Sequence, residues 1–320
     1  MNSTSGNLHG AVGDVLPTGK QQGLRAVSTP GGAFAVLALD HLSALSATIR
    51  PQDPDTVSNS QLAETKVLLV DRLAEHASGV LIDPIVGLQS VIDRDVLPGS
   101  TGLLLGLEDG DYASLDHAPR LFEGWDVARA AAAGADAIKC SFFYDPFAPS
   151  EAAHEFVADL VVGCAEADLP LFAEPLAPPS LQVDRRKVVV ETARNIGALG
   201  VDVLKLEFPS NRTDREAYSE WKDACQELSE ASPRPWTLLS AGADFDTFAQ
   251  QLAVACESGA SGYVAGRAVW QNLVAGGVAE DGSALEEARK RMSELTAIAS
   301  DAATPWTRWY MPASKKRKSL

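Results

Sequence analysis

A lysine lies in the middle of an apolar segment, residues 203–208, whose composition is typical of a buried strand. An ammonium group in such a place must pair with an acid or give up its proton. A neutral amine can add to a ketone and form first a carbinolamine and then a Schiff base. Lys205 is therefore a candidate nucleophile, and a structural ion pair with Glu174 or Glu207 is the alternative.

Two further ionisable residues, Lys139 and Glu174, occupy similar apolar segments, Ala-Ile-Lys and Phe-Ala-Glu. A second cation close to Lys205 would favour the neutral amine, and Lys139 is the candidate for it. A carboxyl group between two lysines can protonate departing water or take a hydroxyl proton while a carbon–carbon bond breaks. We therefore predict that Glu174 moves protons, a role with which ion pairing to both lysines is compatible.

These residues belong to a repeated alternation of short apolar runs and longer segments with helical periodicity, one of which predicts a helix over residues 121–133. Eight strand–helix units predict a single (β/α)8 TIM barrel over residues 21–310, an α/β fold. A doubly wound open sheet is the alternative, but no Gly-x-Gly-x-x-Gly opens a helix. The eight predicted strands are residues 34–39, 79–83, 102–107, 137–142, 171–174, 203–208, 237–240 and 262–266.

In such a barrel the chemistry belongs at the carboxyl ends of the strands. Polar residues gather there, and they include Asp40, Asp83, Glu108, Glu174, Ser240 and Arg267. The last two strands end in the small turns Ser-Ala-Gly at 240–242 and Ala-Gly-Arg at 265–267. Gly242 and Gly266 allow a ligand close to backbone N–H groups, and Arg267 adds a fork of donors, so the two turns predict a phosphate site.

Asp83 and His41 are predicted to contact the substrate near the mouth, although packing within the loop is the alternative for His41. The other histidines are scattered without His-x-His or His-Glu-x-x-His spacing, so we expect no metal ion and no cofactor. The acidic stretch at 108–111 lacks the spacing of a calcium loop, and a solvated turn is expected there.

The chain has 320 residues and a net charge of −16, which disfavours a nucleic-acid partner. No apolar run approaches the roughly 18 residues that span a bilayer, and no export signal begins the sequence, so we expect a cytoplasmic protein without membrane contact. Four cysteines without Cys-x-x-Cys spacing predict reduced, buried thiols. Residues 1–20 are predicted to form a flexible segment, and residues 311–320 a basic tail.

Six phrases resemble the class I tagatose-1,6-bisphosphate aldolase and sulfofructosephosphate aldolase family, from about residue 34 to residue 270. They are Leu-Ile-Asp-Pro (81–84), Gly-Ala-Asp-Ala-Ile-Lys (134–139), Phe-Ala-Glu-Pro (172–175), Gly-Val-Asp-Val-Leu-Lys-Leu-Glu-Phe-Pro (200–209), Leu-Ser-Ala-Gly (239–242) and Gly-Tyr-Val-Ala-Gly-Arg-Ala-Val-Trp (262–270). The resemblance implies reversible aldol cleavage of a ketose phosphate to dihydroxyacetone phosphate and a three-carbon aldehyde. It implies that Lys205 is the Schiff-base lysine, Glu174 the proton-transfer residue, and Lys139 and Asp40 polar partners of the substrate. It also implies a phosphate site made by Ser240, Gly242, Gly266 and Arg267.

Two details of the resemblance concern the substrate. Glu-Pro with Pro178-Pro179, and the stretch at 259–270, are closer to the sulfosugar branch, so 6-deoxy-6-sulfofructose 1-phosphate is expected ahead of tagatose or fructose 1,6-bisphosphate. Both branches tend to carry Asp-Gln-Arg-Gly-Ala after strand one, whereas this chain has Asp-His-Leu-Ser-Ala at 40–44 and so lacks that arginine. The substrate then either lacks a second anionic group or binds it through another residue, with four candidates: Arg50, Lys66, Arg185 and Arg186.

The alternatives to such an aldolase are a barrel that senses a sugar phosphate without turnover, and a Schiff-base lyase for a non-phosphorylated or deoxy sugar. Intact Lys205 and Glu174 argue against a pure sensor, because sensing needs neither an amine nucleophile nor a proton shuttle. A homo-oligomer is expected, since most such barrels associate through their outer helices.

Overall fold

The computed structural model describes residues 15–110, 118–212, 217–277 and 282–310. Within them, eight parallel strands form one closed barrel in sequence order, because each strand pairs with the next and the last pairs with the first. This confirms the predicted (β/α)8 barrel over an open sheet, which would have two free edges. The strands are β1 (Phe34–Leu39), β2 (Gly79–Ile82), β3 (Gly102–Gly106), β4 (Ala137–Phe143), β5 (Leu171–Leu176), β6 (Val203–Leu206), β7 (Trp236–Leu239) and β8 (Gly262–Ala265).

Helices connect the strands and cover the barrel from outside. Asp or Ser side chains cap several of them, as at Asp126, Asp184 and Asp244, where the carboxylate accepts a backbone N–H of the first turn. Within the described ranges the α-helices are α1 (Thr18–Ala26), α2 (Ser43–Ile49), α3 (Asn59–Leu73), α4 (Leu88–Asp93), α5 (Val127–Ala132), α6 (Glu151–Glu166), α7 (Arg185–Gly197), α8 (Tyr218–Ala231), α9 (Phe245–Glu257), α10 (Arg267–Val274) and α11 (Gly282–Ala302).

The two-residue period of the strands places the polar residues on the inner wall of the barrel. Ala137, Phe172 and Val203 belong to an apolar cluster inside the barrel, separate from the cluster between strands and helices. Because side chains two residues apart share one face of a strand, Lys139, Glu174 and Lys205 lie directly above that apolar layer. The interior is therefore apolar towards the amino ends of the strands and ionisable towards their carboxyl ends.

The amino end of the barrel is closed by α1 and by the segment that ends at Tyr310. Leu24 and Trp306 are buried in the inner cluster. Lys20 forms a buried ion pair with Asp202 at 2.7 Å, and the Tyr310 hydroxyl donates to the backbone carbonyl of Asp202. The barrel therefore begins before residue 21, because the last three residues of the segment expected to be flexible, 18–20, form the first turn of α1. The rest of that segment up to residue 14, and the basic tail 311–320, lie outside the described residues.

The segment before α5 differs from the helix predicted over 121–133. α5 begins at Val127, whereas Leu121 forms a β-bridge with Glu108, and the Phe122 N–H donates to the Leu107 carbonyl at 2.9 Å. These bonds hold the segment along the end of β3 in place of a helical turn. They also place Phe122 beside the carboxyl ends of the strands.

Two expectations from composition concern the whole chain. All four cysteines are buried and unpaired, which confirms the predicted buried thiols. Of the helices in the described ranges, none is both long and apolar enough to pass through a lipid bilayer.

Candidate active site

A cavity of about 350 Å³ opens at the carboxyl ends of the strands, where the barrel fold predicts the chemistry. It brings together most of the residues predicted from the sequence, although they come from six different strands or the loops that follow them. Those that line it are Asp40, His41, Lys139, Glu174, Lys205, Ser240, Gly266 and Arg267.

Glu174 bridges the two lysines at the base of this cavity. Its Oε1 lies 2.8 Å from Lys205 Nζ, and its Oε2 lies 2.7 Å from Lys139 Nζ. Ser141, two residues after Lys139 on the inner face of β4, donates its hydroxyl hydrogen to Oε2. The side chain of Lys205 is only 5% exposed. A proton can therefore pass between Lys205 and Glu174 without entering bulk water.

Lys139 is held by three carboxylates. Its Nζ lies 2.7 Å from Asp40 Oδ2, 2.7 Å from Glu174 Oε2, and within hydrogen-bond distance of Glu108 Oε1. Glu108 is buried, which corrects the solvated turn expected at 108–111 for that residue; Gly110 is exposed, and residue 111 lies outside the described residues. The position of Glu108 two residues after Gly106 gives it the inward face of β3, and this period-two placement is the signal that could have identified it.

The same cluster has the ligand types of a metal site. Oxygens of Asp40, Glu108 and Glu174 all lie within 4.8 Å of one another, as carboxylates do around a divalent cation. The Lys139 ammonium, however, bonds to all three carboxylates from the space between them. A cation of the protein itself thus takes the place that a metal ion would need.

The turns after β7 and β8 form the other side of the cavity, the predicted phosphate site, which is called the anion receptor below. Ala241 and Gly242 have φ values of +48° and +78°, which turn the chain sharply after Ser240. The Arg267 guanidinium covers this turn, since a Cβ placed on Gly242 would lie 3.1 Å from its Nη1. Gly266 also has to be small, because a Cβ there would meet the Ala38 carbonyl at 2.6 Å. Arg267 makes no ion pair with any described residue, so its charge is available to a ligand.

A model of the family described as DeoC/LacD family aldolase matches residues 34–272, which contain all eight strands. The chain belongs to the DeoC/LacD aldolase family. The family resemblance predicted from the six phrases is therefore confirmed, as is the predicted class of enzyme, an aldolase among the lyases.

Curated relatives of this DeoC/LacD aldolase match along nearly its whole length. Tagatose 1,6-diphosphate aldolase 2 of Enterococcus faecalis is 30% identical over 323 residues, which cover 91% of this chain and 96% of the relative. Tagatose 1,6-diphosphate aldolase of Lactococcus lactis is 29% identical over 92% of this chain and 99% of its own. A solved structure of a Schiff base forming fructose-1,6-bisphosphate aldolase matches with a TM-score of 0.59 at 21% identity, over 86% of this chain and 98% of that one. At that identity the likeness is one of fold.

The charges in the cavity of this aldolase divide its three clustered carboxyl groups into two kinds. Burial raises the pKa of Glu174 and of Asp40, but the attraction of the nearby lysines outweighs burial and holds both pKa values below their ordinary range. For Glu108, burial together with the repulsion of Asp40 and Glu174 outweighs the attraction of Lys139, so its pKa is raised. Glu108 is thus the member of the cluster that most readily holds a proton.

His41 lies between the carboxylate cluster and the anion receptor. Its ring packs edge-on against Trp270 with centroids 5.9 Å apart, and its Nδ1 lies 3.4 Å from Asp40 Oδ1. Burial lowers the pKa of His41 to about 4, because the attraction of Asp40 is offset by the positive charges of Lys205, Lys139 and Arg267. At neutral pH the aldolase therefore carries an uncharged imidazole at this position. The ring packs against Trp270 and also lines the cavity, so packing does not remove it from reach of a substrate.

Replacing His41 with glutamine should make the protein less sensitive to acid. The pKa of His41 falls from 6.5 to about 4 on folding, so between these pH values the unfolded chain binds more protons, and stability is lost as pH falls. The side chain is 27% exposed, so solvent screening reduces the effect of this pKa shift on stability. We expect the free energy of unfolding of the wild-type protein to fall by about 2 kcal/mol more than that of His41→Gln between pH 7.5 and pH 4. Urea unfolding at both pH values measures this, and equal losses would contradict it.

Asp83, predicted to contact substrate, lies outside the cavity lining. It is buried in an ion pair with Lys66, and its Oδ1 accepts the backbone N–H groups of Ile85 at 3.0 Å and Val86 at 2.6 Å. Burial lowers the pKa of Lys66 in spite of the attraction of Asp83. The pair organises the turn after β2. A carboxylate that caps its own turn and also meets an ammonium group has few lone pairs left for a ligand.

The four candidates for a second anion receptor are also dispersed. Lys66 is committed to Asp83, Arg50 donates to Thr56, and Arg186 pairs with Glu227 at the surface. Of these four residues, Arg185 alone pairs with a residue of the cavity lining, Glu207.

Proposed function

We propose that this protein is a class I aldolase that cleaves a ketose 1-phosphate through a Schiff base on Lys205, giving dihydroxyacetone phosphate and a three-carbon aldehyde. The observation that carries the proposal is the bridge from Lys205 through Glu174 to Lys139, on the floor of a cavity with an anion receptor on its other side. Relatives named tagatose 1,6-diphosphate aldolases support the same chemistry.

The pair of Lys205 and Glu174 can start the reaction. Proton transfer over the 2.8 Å between them leaves a neutral amine and a protonated carboxyl group. The amine adds to C2 of the ketose, and a proton passes from its nitrogen to the C2 oxygen, which becomes a hydroxyl group. Glu174 then returns its proton to that hydroxyl, so that water departs and the iminium forms.

Carbon–carbon cleavage follows from the iminium. Glu174, which is a carboxylate again after it has given up its proton, takes the C4 hydroxyl proton while the C3–C4 bond breaks. The electron pair of that bond moves into the iminium and gives an enamine. The aldehyde leaves, Glu174 gives its proton to C3 of the enamine, and water hydrolyses the resulting iminium to release dihydroxyacetone phosphate and Lys205. Lys139 and Asp40 are placed to bind the C3 and C4 hydroxyl groups, since they meet beside Glu174 at 2.7 Å.

The substrate phosphate belongs between the turns after β7 and β8. Ser240, the backbone of Gly242 and Gly266, and the guanidinium of Arg267 together offer hydroxyl, amide and bidentate donors. An anion held there fixes C1 on the side of the cavity next to β6, which carries Lys205.

A trapping experiment tests the proposal. Dihydroxyacetone phosphate with borohydride should add a stable mass to the peptide that contains Lys205, because borohydride reduces the imine to a secondary amine. Labelling and ketose cleavage should both survive EDTA, since no proposed step uses a metal ion. Label on another residue, or loss of cleavage in EDTA, would contradict the assignment, and omission of dihydroxyacetone phosphate provides the control.

The identity of the ketose is the finer part of the proposal. The family resemblance implies 6-deoxy-6-sulfofructose 1-phosphate, while the two relatives are named for tagatose 1,6-diphosphate. Cleavage rates for sulfofructose 1-phosphate, tagatose 1,6-bisphosphate and fructose 1,6-bisphosphate, measured side by side, rank these substrates. Absence of cleavage with intact binding would favour the sensing barrel. A homo-oligomer in the cytoplasm stays a prediction.

A further inference from the structure

We propose that the aldehyde half of the substrate ends in an uncharged group, so that the enzyme acts on a ketose monophosphate. The inference rests on the proposed function, because the C1 phosphate and Lys205 determine which way the substrate lies. It departs from the sulfonated substrate expected from the sequence, for reasons that come from the lining of the cavity.

The order of the strands gives the direction of the substrate. The anion receptor follows β7 and β8, and in a closed barrel of eight strands β3 and β4 lie diametrically opposite. A ketose with its phosphate at Arg267 and its C2 at Lys205 on β6 therefore extends towards Lys139 on β4. Its far end reaches the ends of β3, β4 and β5 beyond Lys139.

The wall on this far side is mostly apolar. Phe143 and Leu176 are partners in the register of β4 and β5, and the backbone bond from Phe122 to Leu107 fixes a second phenyl ring at the end of β3. Such a surface suits a methyl or methylene group and offers little to a phosphate or sulfonate. Its apolar members are Phe122, Phe143, Leu176 and Ala177.

The charges of the cavity act in the same direction. Among the described lining residues four are acidic, Asp40, Glu108, Glu174 and Glu207, and three are basic, Lys139, Lys205 and Arg267. Carboxylates hold both lysines, and Arg267 lies at the phosphate end.

Two further basic groups near the mouth, among the residues that the structure describes, do not alter that balance. His41 is uncharged at neutral pH, and Arg185 is paired with Glu207, which also accepts the Ala177 N–H at 2.9 Å. A second anion on the far side would therefore lose its hydration and face carboxylates. We infer that a neutral terminus is preferred by tenfold or more.

Aldol addition tests this directly, because it varies only the far end. Dihydroxyacetone phosphate is combined with lactaldehyde, glyceraldehyde, glyceraldehyde 3-phosphate or sulfolactaldehyde, and kcat/KM for the aldehyde is measured. The two neutral aldehydes should exceed both anionic ones by tenfold or more. Equal values, or a higher value for either anionic aldehyde, would overturn the inference, and a lead for sulfolactaldehyde would favour the sulfonated substrate.

A variant adds a second readout. Phe122 lines the cavity at the end of β3 and is half-buried, so Phe122→Arg can place a guanidinium on the far side. The ratio of kcat/KM for glyceraldehyde 3-phosphate to that for glyceraldehyde should rise at least tenfold in Phe122→Arg and stay within threefold of wild type in Phe122→Leu. An unchanged ratio in Phe122→Arg would count against the apolar wall as the selective element.

The two proposals fail in different ways. Borohydride labelling of Lys205 needs dihydroxyacetone phosphate alone, which does not reach the far side. Labelling with a preference for anionic aldehydes would overturn only this inference, whereas absence of labelling would overturn the proposed function.

Discussion

Lys205→Met should lower kcat for ketose cleavage by more than about 10⁴-fold, because methionine fills the same space without a nucleophilic nitrogen. Borohydride labelling by dihydroxyacetone phosphate should disappear in the same variant. The fold should survive, since Glu174 keeps its bonds to Lys139 and Ser141 and is not left as an unpaired buried charge. Steady-state cleavage, mass spectrometry and thermal unfolding measure these three outcomes.

Lys222→Met is the matched control for that substitution. Lys222 is exposed on α8, outside the barrel, so the same loss of an ammonium group should leave cleavage and labelling unchanged. Turnover by Lys205→Met within tenfold of wild type would remove Lys205 from the chemistry. A strong decrease in Lys222→Met would show that the loss reflects general damage to the protein.

The inward positions of the catalytic candidates could be predicted because strand periodicity is local. Lys139, Glu174 and Lys205 each follow, two positions later, an apolar strand residue that faces the barrel interior. Because side chains two residues apart share one face of a strand, all three face the interior as well. Closure of eight strands then brings them together, and parallel pairing puts their carboxyl ends on one side. This is why a correct fold class was enough to gather most of the candidate site.

Other features depend on contacts that the local sequence does not specify. Asp83 and Glu108 both follow the ends of strands, yet one is bound to Lys66 of α3 and the other to Lys139 of β4. Which acid meets which cation is decided by the geometry across strands and helices. The sequence therefore placed both acids at strand ends, but it predicted a substrate contact for Asp83 and a solvated turn for Glu108. The helix predicted over 121–133 failed for a similar reason, since a β-bridge to Glu108 competes with its first turns.

The cluster around Lys139 also explains why the two lysines are not interchangeable. Lys139 is held by three carboxylates, whereas Lys205 is held by Glu174 alone among the carboxylates of the described residues. Loss of the Glu174 charge therefore leaves Lys205 without an ionised carboxylate partner, whereas Lys139 would still pair with Asp40 and Glu108. This asymmetry is consistent with an anchoring role for Lys139 and a reactive role for Lys205.

Glu174→Gln should separate bond formation from proton transfer. The amide keeps the size of the side chain but can neither take the Lys205 proton nor expel water, so kcat should fall by about 10² to 10⁴-fold. Borohydride labelling of Lys205 should persist at a lower rate, because the amine remains in place next to the C2 carbonyl. Glu227→Gln, which removes a carboxylate from a surface pair with Arg186, is the control and should leave both measurements unchanged. A decrease in kcat of less than tenfold would assign proton transfer to another group, and Glu108, whose pKa burial raises, would be the next residue to replace.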